Sequence, residues 1–131
     1  MKNPTRFAAL AALVPLLAAC PRNPFEDTVC TMEARPALHV LVSDARTGAP
    51  ATGYTVVARA GSFADSATVP EAPAHWDPAS GVSLAHEHAG RYEVTVRKAG
   101  YAEWRKSGVE VTRDECHVRT VRLEARLQPA L

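Results

Sequence analysis

In Arg91-Tyr92-Glu93-Val94-Thr95-Val96-Arg97 every second residue is apolar, and the residues between are charged or hydroxylated. A two-residue period puts Tyr92, Val94 and Val96 on one face of a strand and Glu93, Thr95 and Arg97 on the other, so one face is core and the other is wet. Gly90 and Gly100 bracket the run as turn residues. Downstream, Ala102–Lys106 and Val109–Val111 are short strand candidates, and in Val118–Leu127 the residues Val121, Leu123, Ala125 and Leu127 alternate with Arg122, Glu124 and Arg126. Upstream, Leu38–Val42, Tyr54–Ala60 and Phe63–Val69 are rich in strand formers, and Val82–His88 is expected to run extended. Asp44–Pro50 has turn chemistry, while Pro70–Ser80, with three prolines, is too irregular for a strand and long enough to form a surface loop. About seven strands with short turn signals and no helical period predict an all-β, Ig-like β-sandwich over residues 37–127, with a tail at 128–131. Roughly 90 residues suffice for one core, but a core that small gains from a covalent staple.

The first residues follow another pattern. Lys2 and Arg6 precede an apolar run, Phe7–Leu17, interrupted by one proline. Eleven residues are too few for a bilayer span of about 20, but they match the hydrophobic region of a secretory signal. Leu17-Ala18-Ala19-Cys20 then resembles the lipobox of bacterial lipoproteins. That resemblance implies a signal peptide over residues 1–19, cleaved to leave Cys20 acylated on its sulfur and amino group. Each buried methylene contributes about 0.8 kcal/mol, so several chains give lasting attachment to the membrane. Pro21 stands where an Asp would favour the inner membrane, which points to the outer membrane, facing the periplasm. Residues 20–36, with three prolines and little periodicity, read as a flexible tether.

With Cys20 an anchor, Cys30 and Cys116 remain in an oxidising compartment. A disulfide between them is the economical reading and joins the start of the folded region to its last strand. A reactive dithiol is the alternative, and it lacks a Cys-x-x-Cys spacing. The chain carries 15 Lys and Arg against 14 Asp and Glu, and two of the basic residues lie in the signal segment. The remainder is nearly neutral, so nothing supports a nucleic-acid partner, which would need a basic patch.

Two blocks carry a family resemblance. Asp44-Ala45-Arg46-Thr47-Gly48-Ala49-Pro50 resembles the D-x-x-T-G-x-P turn of carboxypeptidase regulatory-like domains, and Gly90 to Tyr101 resembles their G-x-Y-x-V-x-V-x-x-x-G-Y segment. The resemblance implies a seven-stranded prealbumin-like (transthyretin-like) sandwich of a kind that is usually a structural or protein-interaction module without a cofactor. One prealbumin-like branch hydrolyses 5-hydroxyisourate, but its Tyr-Arg-Gly-Ser tetrapeptide does not occur here, nor does a Gly-x-Ser-x-Gly elbow. No catalytic residue is therefore assigned. The Pro70–Ser80 insertion and the cysteine pair depart from the family pattern.

Contact and ligand residues follow from side-chain type. Trp76, between His75 and Asp77 in a proline-bounded loop, is the leading candidate for contact with an envelope protein or polymer. Tyr101 and Trp104 are further candidates, read first as packing at the sandwich rim. In His86-Glu87-His88 an extended backbone would place both imidazoles on one face, and with His75 nearby they would offer zinc its ligands. The alternative is a pair of solvated side chains, and no metal is assigned.

Overall fold

The structure is a computed structural model and describes residues 28–131. The signal-like segment and Cys20 lie outside the described residues. Seven strands are present: β1 (Leu38–Asp44), β2 (Tyr54–Ala60), β3 (Phe63–Val69), β4 (Val82–Leu84), β5 (Gly90–Lys98), β6 (Trp104–Val111) and β7 (Val121–Leu127). They form two sheets, one ordered β4-β1-β7 and the other β3-β2-β5-β6, which face each other as a β-sandwich. β1 and β7 run parallel from Leu38↔Val121 to Asp44↔Leu127, and the other pairings are antiparallel.

The period of two sets the interior as expected. Tyr92, Val94 and Val96 of β5 are 1 %, 0 % and 0 % exposed. Facing them are Leu38, Val40 and Val42 of β1 and Leu123, Ala125 and Leu127 of β7, all buried. Each fully buried valine or leucine contributes about 1.5–3 kcal/mol, so this one cluster supplies the driving force for the fold. The two short candidates after Gly100 are a single strand: between Tyr92 and Val94 of β5, β6 advances from Val109 to Lys106, and the extra residue is a bulge. Gly108, at φ +66°, supplies the left-handed backbone that the bulge needs.

β4 is shorter than expected. It ends at Leu84, and Ala85 and Glu87 both take φ +56°, so residues 85–88 form a turn instead of continuing the strand. Asp65 Oδ2 accepts from Ala85 N at 2.7 Å and ties the turn to the edge strand β3. The Pro70–Ser80 loop is irregular as expected, except for a single 3-10 turn at Pro78–Ser80. Asp77 Oδ1 accepts from Ala79 N at 2.9 Å and starts that turn.

The registers define two poles. At one, β1 and β7 begin, β4 ends and β5 begins; residues 28–37, 84–90 and 112–120 gather there. At the other, β1 and β7 end beside the start of β2 and the end of β5. Cys30 and Cys116 are disulfide-bonded at the first pole, as the cysteine count anticipated.

Candidate functional site

The second pole is built by the two blocks singled out in the sequence. Asp44 Oδ1 accepts from Arg46 N at 2.7 Å and Thr47 N at 3.1 Å, and Gly48 closes the turn at φ +73°. The remaining carboxylate oxygen, Oδ2, accepts from the Tyr101 hydroxyl at 2.7 Å. That bond holds the Asp44 carboxyl below the usual carboxylate range, helped by the two turn amides, and pushes the Tyr101 phenol up. Ala102 N donates to Gln128 O and Ala130 N to Gly100 O, which stitch the chain end onto the same corner.

Beside this corner lies a cleft of ≈ 670 Å³. Its walls are Thr55 and Thr68, whose hydroxyls are 3.0 Å apart, the Val69–Glu71 segment, and Arg97, Lys98, Tyr101 and Glu103. Arg97 pairs with Glu103, and with Arg105 it holds the Glu103 carboxyl below its ordinary range. The Lys98 side chain is only 14 % exposed. Its ammonium donates to Thr52 O at 2.7 Å and to Glu71 Oε1 at 3.1 Å, and it lies 5.8 Å from the centre of the Tyr101 ring. The cleft thus sets paired charges and hydroxyls around one aromatic face, groups able to orient a polar ligand by hydrogen bonds.

Of the expected contact residues, Tyr101 lines this cleft. Trp104 pairs with Val96 on β6, is half-buried against the core, and does not line it. Trp76 lies in the loop as expected, and its side chain is half-buried and packed against the core. The 3-10 turn that follows, and Gly81, where a Cβ would lie 2.6 Å from Val40 O, bring this loop back against β1.

The zinc geometry requires correction. With β4 ended at Leu84, strand alternation does not apply to His86 and His88. His86 and His75 are exposed, while the His88 ring stacks on Phe63 with centroids 3.7 Å apart. Among the described residues no group of three or more His, Cys, Asp or Glu side chains converges to hold a metal ion.

What the sequence did not reveal is a polar cluster at the disulfide pole. His117 is 6 % exposed, and its Nδ1–H donates to Glu87 Oε1 at 2.7 Å, while its Nε2 lies 2.9 Å from Thr31 Oγ1. Glu87 also accepts from Arg35 N at 2.7 Å and Val118 N at 3.3 Å. Hydroxyl, imidazole and carboxylate stand here in the order that nucleophilic catalysis uses. Yet the carboxylate also serves two backbone amides, and the hydroxyl belongs to the very segment being held, which is how a clasp is built. The Arg35 amide, then His117, hold the Glu87 carboxyl below its usual 4.5. A depressed carboxyl stabilises above its unfolded value and loses that contribution as pH falls through the folded one. Glu87→Ala is therefore expected to raise amide exchange at Arg35 and Val118 by about tenfold or more at pH 7, with a smaller difference from wild type in strong acid. Unchanged exchange at pH 7 would remove the clasp.

Comparison of the chain with protein-family models, with curated proteins and with solved structures finds no match.

Proposed function

We propose that this chain is a lipid-anchored protein of the bacterial cell envelope, held in the outer membrane through Cys20 and facing the periplasm. Its sandwich would be a non-catalytic protein-interaction module of carboxypeptidase regulatory-like type. The observation that supports this most is polarity of layout: the Cys30–Cys116 bond pins the tether at one pole, and the ≈ 670 Å³ cleft lies at the other. Cys30 follows Cys20 by ten positions, a span of at most about 36 Å, so the tethered pole stays within that distance of the anchor and the cleft lies at the end remote from the attachment. A cleft rimmed by hydroxyls and charge pairs also fits an envelope glycan, which is the second reading.

Two measurements test the proposal. Cys20→Ser is expected to move the protein from the membrane to the soluble fraction, and continued membrane attachment would overturn the anchoring. A photo-crosslinking residue at exposed position 99 on the cleft rim, compared in cells with one at exposed position 122 on β7, is expected to capture a discrete protein from 99 alone. Polysaccharide adducts from 99 would replace the protein partner with the glycan. Equal background from both positions would remove the cleft as the site.

A further inference from the structure

Gly53, at φ +64°, has no side chain, and the Glu71 carboxylate sits where its Cβ would be. An alanine there would overlap the carboxylate carbon and both its oxygens, so Gly53 forms a notch that a carboxylate fills. The cation beneath it is fixed: the Lys98 side chain is 14 % exposed, and its ammonium is already committed to Thr52 O. The anion above it is not fixed in the same way. The Glu71 side chain is 71 % exposed and belongs to the irregular loop that follows β3, and among the described residues Lys98 is the one side chain that bonds its carboxylate.

We infer that the notch formed by Gly53 and Lys98 is a receptor for a carboxylate of the ligand, and that Glu71 occupies it until the ligand displaces it. The inference rests on the cleft being the binding site and adds the chemistry it selects. If Glu71 swings out, a largely buried ammonium loses its charged partner and keeps one carbonyl, and an incoming carboxylate restores the pair without net change in buried charge. Thr55, Thr68 and the Tyr101 face then line the path of the rest of the ligand. The carboxylate has two sources of equal chemistry, a peptide C-terminus or a uronic-acid sugar.

The test uses residues 20–131 carrying Cys20→Ser, titrated with N-acetyl-alanyl-alanine, its C-terminal amide, a galacturonic-acid trimer and a galactose trimer. Binding is followed by the amide resonances of Gly53, Thr55 and Lys98. One or both acids are expected to shift these saturably while the matching neutral probe does not, and the acid that binds identifies the source. Glu71→Gln, an exposed change that leaves the fold intact, is expected to tighten acid binding by about tenfold, as one competing charged hydrogen bond is weakened. Lys98→Met is expected to abolish it, with the thermal midpoint reporting any loss of fold. Equal shifts from acid and neutral probes, no binding to wild type or Glu71→Gln, or weaker binding to Glu71→Gln would each overturn the inference. A partner captured from position 99 alongside any of those results would leave the cleft as the site and reject only its carboxylate chemistry.

Discussion

Replacing both Cys30 and Cys116 with serine is expected to lower unfolding stability by up to about 4–5 kcal/mol, because the bond closes a loop with a sequence separation of 86 residues. Chain entropy sets that figure, and structure that persists in the unfolded ensemble lowers it. Native domains have roughly 5–15 kcal/mol to lose, so the variant is expected to be marginal at 37 °C, with a thermal midpoint lowered by about 15–30 °C. The strands themselves do not depend on the bond. The segment before β1 keeps its contacts from Thr31 to His117, Arg35 to Glu87 and Thr120 to Pro36 O, so the reduced protein is expected to fold to the same sandwich. Urea unfolding of the wild type with and without reductant measures the effect directly. A loss under 1 kcal/mol would mean that the unfolded chain is already held compact without the bond.

The second large effect distinguishes two tyrosines that look alike in the sequence. Tyr92 and Tyr54 are 1 % and 2 % exposed, on adjacent strands with inward side chains. The Tyr92 hydroxyl donates to His88 O at 2.7 Å and lies 3.0 Å from His88 Nδ1. Since the phenol proton goes to the carbonyl, Nδ1 carries a proton and donates back to the phenol oxygen. The Tyr54 hydroxyl is buried and has no hydrogen-bond partner among the described residues. Tyr92→Ala is expected to cost about 3–5 kcal/mol by opening a cavity, and Tyr92→Phe about 1–2 kcal/mol for the unsatisfied His88 groups. Tyr54→Phe is expected to be neutral or to stabilise by about 1 kcal/mol, since it removes a desolvated hydroxyl and leaves nothing unpaired. Burial also pushes the Tyr54 phenol from 10.0 up to about 12. A raised phenol keeps its proton longer in the fold than in the open chain, so its contribution is whole below pH 10 and is lost as pH rises towards 12. Chemical denaturation of the three variants and an alkaline absorbance titration check both statements. Equal losses for the two phenylalanine variants would contradict the assignment.

The architecture was legible in residues 91–97 because alternation is a local property. A strand half in water and half in core needs one apolar residue in two, wherever its partners come from. The same holds for the Asp44–Pro50 turn, where the Asp44 carboxylate accepts from Arg46 N and Thr47 N and its carbonyl accepts from Gly48 N, all within four residues. Reading fails where a local pattern is overruled from a distance. Val82–His88 has extended character, yet β4 stops at Leu84, and the turn that follows carries Glu87 to amides and an imidazole supplied by other parts of the chain. Trp76 sits among prolines, yet it packs against the core.

Thus the sequence by itself determined the class of fold, the inward faces of β5 and β7, the disulfide partners and a lipobox-like start. Those follow from period, composition and a count of cysteines. Only the tertiary structure decided that Tyr101 would meet Asp44 across 57 residues, Lys98 meet Glu71 across 27 and His117 meet Glu87 across 30. No spacing rule encodes those pairs: Lys98–Glu71 and His117–Glu87 each join segments brought to one pole by the strand order within a single sheet, and Tyr101–Asp44 forms only when the two sheets stack.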